Sequence, residues 1–192
     1  MQNKIIVFIL IILNLVTLSV HSNDQVTFDV SELEILDGGN KIIGKNRGTI
    51  TTDNGISIEA NKFEYDKTKN ILKAQGNIII KDKVNDLNFF SQDIVYLKNK
   101  ERIDIKGKSK ALIDKNYEFE IENVSIIRND MKIRSDIGGS ILDNKNHTKY
   151  EIGKFDYSLK DKILKGEKIF INVKYNLPFS DKYFFKSAIF DL

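Results

Sequence analysis

His147 is the only histidine beyond residue 22, and it sits in the polar run Asn146-His147-Thr148. Catalysis by a nucleophile and base would need a Ser, Cys or Thr that His147 could activate and an acid to orient it. No spacing in the chain supplies that set, so His147 reads as an exposed loop residue. The chain has no cysteine. It therefore offers no thiolate chemistry and no disulfide framework, and without a second histidine no transition-metal cluster of the usual kind. Glu118, Glu120 and Glu122 are the densest carboxylate group. Their period of two puts them on one face of a strand, opposite Phe119 and Ile121, as solvated surface. A glycosidase needs two carboxylates facing each other across a cleft. Asp136-Ile137-Gly138-Gly139 is followed by no helix, so it reads as a bulge or turn and not as a phosphate-binding loop. Asn123-Val124-Ser125 and Asn146-His147-Thr148 match the glycosylation sequon, but matches this short arise by chance, and Asn123 falls inside an expected strand. The expectation is a protein that is not an enzyme and carries no cofactor.

Composition narrows the remaining classes. The 192 residues are 41% hydrophobic and 30% charged, with 12 Phe and 7 Tyr, enough for a globular core. Net charge is +3, from 30 basic and 27 acidic residues whose signs alternate along the chain. Nucleic-acid binding needs a concentrated basic patch, which is missing here.

The chain opens with Lys4 and an apolar run, Ile5 to Leu13, that continues through Leu15, Val16 and Leu18. This reads as a secretory signal peptide over residues 1–22, cleaved after Ser22. The alternative is a retained anchor, but Asn14, Thr17 and Ser19 interrupt a run that should hold about 20 apolar residues. Either way, residues 23–192 are expected outside the cytoplasm as one domain.

That domain repeats a single spacing. Phe28, Val30, Leu33 and Ile35 are separated by two, three and two residues. The same gaps recur at Ile58, Ala60, Phe63 and Tyr65, at Phe89, Ser91, Ile94 and Tyr96, at Phe119, Ile121, Val124 and Ile126, and at Tyr150, Ile152, Phe155 and Tyr157. Successive units start 30, 31, 30 and 31 residues apart. A period of this size marks a chain built by stacking one small unit. Alternation with one extra residue predicts a strand that bulges or bends midway, because a single inserted residue flips the faces that follow. Polar turns such as Asp66 to Asn70 come next, then return strands carrying Leu72 and Ala74 or Ile103. The unit is strand, turn, strand, about 30 residues long. Hairpins at this density predict an all-β sandwich, barrel or β-roll, with two sheets closing over a common interior. Tyr183, Phe185, Ala188 and Phe190 repeat the spacing a sixth time, without a return strand. The expectation is the front part of a longer protein; a natural edge strand awaiting a partner chain is the alternative.

The run Ile58-Glu59-Ala60-Asn61-Lys62-Phe63-Glu64-Tyr65-Asp66, followed by Ile71-Leu72-Lys73-Ala74-Gln75-Gly76-Asn77-Ile78, resembles the signature of the OstA-like family of periplasmic lipopolysaccharide-transport domains. A weaker copy spans Phe89 to Gly107, and the resemblance covers most of residues 26–192. It implies an open antiparallel β-jellyroll whose apolar groove holds lipid A chains. The groove would be lined by Phe28, Leu33, Ile35, Ile58, Ala60, Phe63, Tyr65, Leu72, Ala74, Phe89, Ile94, Tyr96, Ile103, Phe119, Ile121, Val124, Ile126, Phe155 and Tyr157. It further implies a periplasmic location at the outer membrane and lipopolysaccharide as ligand. Homologous jellyrolls would pair with it edge to edge, and a C-terminal outer-membrane barrel would follow. Within the family the chain looks most like the N-terminal periplasmic domain of the outer-membrane assembly protein. The small soluble bridge and the inner-membrane-anchored member are the alternatives. A structural scaffold or adhesin with a dry core is the reading from outside the family.

Overall fold

The computed structural model describes residues 26–113 and 116–192. The expected signal peptide over residues 1–22 lies outside them. Among the described residues, fifteen strands form one antiparallel sheet. In chain order they are β1 (Val26–Asp29), β2 (Glu32–Leu36), β3 (Lys41–Lys45), β4 (Gly48–Thr52), β5 (Ile56–Ala60), β6 (Lys62–Asp66), β7 (Ile71–Asp82), β8 (Leu87–Leu97), β9 (Arg102–Ile113), β10 (Tyr117–Ile127), β11 (Lys132–Ser135), β12 (Gly139–Asp143), β13 (Thr148–Ser158), β14 (Ile163–Val173) and β15 (Asp181–Asp191). Short 3-10 turns follow β2 at Asp37–Gly39 and β8 at Lys98–Lys100.

The sequence pattern predicts two sheets, and the structure has one sheet folded on itself. The long strands bend midway, where the pairing register shifts: Gln75/Ile78 on β7, Phe90/Asp93 on β8 and Glu122/Val124 on β10. At each bend the return strand carries one residue more than its neighbour: β7 spends three residues from Gln75 to Ile78 against two on β8, and β9 three from Ile105 to Lys108 against two on β10. The bends line up and divide the sheet into two leaves. Leaf one contains β1, β4, β5, β12 and the segments 78–82, 87–91, 108–113, 117–122, 148–152, 169–173 and 181–185. Leaf two contains β2, β3, β6, β11 and the segments 71–75, 93–97, 102–106, 124–127, 154–158, 163–167 and 187–191. β11 and β12 each bridge β10 to β13, one in each leaf.

The bend line is pinned by side chains. The Asn123 carboxamide oxygen accepts from the Gly107 N–H at 2.8 Å, and the Gln92 side-chain oxygen accepts from the Asn77 N–H at 3.0 Å. Gly138, at φ +79°, approaches β13 so closely that a Cβ there would lie 1.8 Å from the Ile152 carbonyl oxygen. Only glycine fits.

The leaves close over an isoleucine-rich interior, because alternate residues of every long strand point inward. Among the described residues the stack does not close into a barrel: β1 and β2 end it on one side and β15, paired only with β14, on the other.

Candidate functional site: the apolar interior and its seam

The inward stripe is continuous through the units. Of the nineteen residues expected to line a groove, sixteen are buried: Ile58, Ala60, Phe63, Tyr65, Leu72, Ala74, Phe89, Ile94, Tyr96, Ile103, Phe119, Ile121, Val124, Ile126, Phe155 and Tyr157. They meet across the leaves. The Phe119 ring on leaf one lies 6.4 Å from Phe155 and 5.6 Å from Tyr157 on leaf two. Phe28 is half-buried and lies 6.2 Å from Tyr65. Leu33 and Ile35 are 42% and 60% exposed. The reason is positional: among the described residues β2 is an edge strand paired only with β3, and none of them covers Leu33 and Ile35. The small residues Ala60, Ala74 and Ser91 are buried among the aromatics, so the interior is filled by side chains.

Glu118, Glu120 and Glu122 lie on the outer face, opposite the buried Phe119 and Ile121. Glu120 pairs with Lys110 at 2.6 Å. A cavity of about 1100 Å³ on this outer side, beside the bend, takes in Phe90, Lys110, Glu120, Ile137 and Phe170, and it reaches the buried Ile78, Ser91, Ile121 and Ile152 at the bend. His147 is exposed in its turn, where its carbonyl accepts from Tyr175.

Opposite the bend line, the turns of the two leaves face each other along a seam. Here lies a polar cluster that the apolar spacing does not reveal. Arg128, in the turn after β10 on leaf two, reaches across to Asp82 at the end of β7 on leaf one. Its Nε donates to Asp82 Oδ2 at 2.7 Å, and its Nη2 donates to the Asn54 carbonyl at 2.8 Å. Nη1 donates to Glu101. The Asn54 side-chain nitrogen donates to the Tyr96 hydroxyl at 2.9 Å and to Glu101 at 2.7 Å. Lys98 adds a second crossing, 4.0 Å from Asp53. The Arg128 and Asp82 side chains are only 7% and 2% exposed.

Burial pushes the Asp82 carboxyl up, but hydrogen bonds from Arg128 and Asn85 outweigh it and hold the group below the ordinary carboxylate value. Burial likewise pulls Arg128 down, and its two carboxylates more than restore it. For Tyr96, burial dominates and raises the hydroxyl well above its ordinary value. Asp82 and Arg128 are therefore both charged at neutral pH, with the Tyr96 phenol neutral, and their pair clasps one leaf to the other.

No family model matches the chain, and no curated protein matches it. Among solved structures it is similar to LptH, the LptA homologous periplasmic component of the conserved lipopolysaccharide transport device from Pseudomonas aeruginosa. The two are 11% identical, the match covers 83% of this chain and 94% of that one, and the TM-score is 0.44.

Proposed function

We propose that this chain is a lipid-conduit module that takes acyl chains of lipopolysaccharide between its two leaves, in the periplasm. The observation that carries the reading is the apolar stripe, which runs unbroken from the second repeat to the fifth in a stack whose end strands have one neighbour each among the described residues. An interior of this kind holds hydrocarbon without a specific polar contact, since each buried methylene contributes about 0.8 kcal/mol. The OstA-like resemblance of Ile58 to Ile78 supplies the choice of lipid. Side chains of the two leaves meet across the interior, so the leaves part to admit a chain, and acyl contacts replace leaf-to-leaf contacts.

Partners belong to the same proposal. Sheet edges invite a further strand. β15 presents Phe184 and Ile189 to solvent at such an edge, which fits a homologous roll adding edge to edge near the outer membrane.

The dry scaffold is the second reading, favoured by the near-complete burial of the stripe and by the clasp. Photo-crosslinking in cells separates the two. Crosslinking residues at Phe63, Ile94 and Phe119 are expected to capture lipopolysaccharide, with little capture from Lys67 in an exposed turn. Adducts at Lys67 alone sink the conduit and leave the scaffold.

A further inference from the structure

Asn54-Gly55 is the only Asn-Gly pair in the chain, and it lies in the turn between β4 and β5, inside the clasp. An asparagine before a glycine carries its own chemistry, because no side chain shields the glycine nitrogen. Attack by the Gly55 nitrogen on the Asn54 side-chain carbonyl carbon closes a succinimide ring. The Cγ–Nδ2 bond breaks, and Nδ2 leaves as ammonia with the proton from the Gly55 N–H. Water then opens the ring and leaves a carboxylate, as aspartate or isoaspartate. The closed seam holds each participant off that path. Asn54 Nδ2 donates to the Tyr96 hydroxyl at 2.9 Å and to Glu101 at 2.7 Å, and Oδ1 accepts from the Thr52 hydroxyl. The Gly55 N–H is engaged by the Thr52 carbonyl at 3.2 Å. Arg128 Nη2 fixes the Asn54 carbonyl at 2.8 Å.

We infer that Asn54 is a deamidation site gated by the clasp: the closed seam keeps the amide intact, a parted seam lets it react, and the carboxylate that forms holds the seam apart. Cyclisation swings the Asn54 side chain back onto its own backbone. In the closed seam that motion takes the Nδ2 donor away from Tyr96 and Glu101, and both lie in partly buried surroundings where a lost partner is costly. Local opening removes the penalty, so reaction follows the population of the open form. The product reverses the local chemistry. Nδ2 donated to Glu101, whereas a carboxylate at position 54 sets like charges at hydrogen-bond distance around the one Arg128 guanidinium. The Tyr96 hydroxyl, which donates to Glu101 at 3.1 Å, loses the donor it accepted from. The change is one-way, and it requires only that the clasp opens, whether or not lipid is what opens it.

The test follows conversion of the full chain in mildly alkaline buffer by peptide mass spectrometry of the segment holding Asn54. The folded chain is expected to convert at least about tenfold more slowly than the same chain unfolded in urea. Glu101→Ala removes one acceptor of Nδ2 and one partner of Arg128, and it is expected to speed conversion of the folded chain at least about threefold. Tyr96→Phe removes only the other acceptor, keeps the ring, and is expected to act in the same direction. Both residues are remote from Asn54 in sequence, so the rate in urea is expected to stay that of the parent. Circular dichroism checks that each variant is folded. In Asn54→Asp, hydrogen exchange at the Gly55 and Arg128 amides is expected to rise at least about tenfold while the fold is kept. No conversion in urea overturns the site. Equal rates in the folded and unfolded chains, or folded variants no faster than the parent, overturn the gating. Unchanged exchange in Asn54→Asp overturns the effect on the seam.

Discussion

Asp82 and Arg128 carry the sharpest single-residue expectations. A carboxyl held below its unfolded pKa of about 3.9 stabilises the fold at every pH above that value. The contribution disappears as pH falls through the lower, folded value. Removing the charge leaves Arg128 buried with one carboxylate fewer. Asp82→Asn is therefore expected to cost about 3 kcal/mol at pH 7, with the gap to the unaltered chain narrowing below about pH 4. Urea unfolding at several pH values measures both. Replacing all three charges together, by Asp82→Leu, Arg128→Met and Glu101→Gln, is expected to recover most of that loss, because no charge is then left unpaired. In the interior, Phe119→Ala removes the ring that meets both Phe155 and Tyr157. The expected loss is about 4 kcal/mol by the same measurement.

At the scale of elements, the bend line is what turns a meander into two leaves. Two glycines there separate space from strain. Gly107, at φ +71°, has nothing within 4 Å of an added Cβ, whereas Gly138 has the Ile152 carbonyl oxygen at 1.8 Å. Gly107→Ala should cost about 1 kcal/mol, the left-handed penalty alone. Gly138→Ala must shift backbone and should cost several times more, read as a larger fall in melting temperature. The bends were legible in the sequence because one inserted residue flips every side chain after it, as between Ala60 and Phe63 or Ser91 and Ile94. Coverage was not legible. Leu33 and Ile35 keep the spacing, yet whether a face is covered depends on neighbouring strands that spacing does not reveal. The clasp was hidden for a related reason. It joins turns 46 residues apart in sequence, across two leaves. The one available signal was the basic column Lys67, Lys98 and Arg128, which shares the period of the apolar stripe.

For the molecule as a whole, the open ends and the filled interior make separate predictions. If edges are the partner surface, Phe184→Lys with Ile189→Lys on β15 should weaken association with a homologous roll while leaving the fold intact. Light scattering and circular dichroism together report the two effects. The central claim is that lipid enters the interior rather than coating the outside, and isoleucine methyl groups report on both places at once. Ile58, Ile94 and Ile126 are buried in the stripe, whereas Ile137 is exposed beside the outer cavity. The most direct measurement is methyl NMR of the isoleucine-labelled chain during titration with lipopolysaccharide. The conduit predicts large shifts at Ile58, Ile94 and Ile126, with Ile137 little changed. Shifts confined to Ile137 and its outer-face neighbours, with the interior methyls unmoved at saturation, would contradict it.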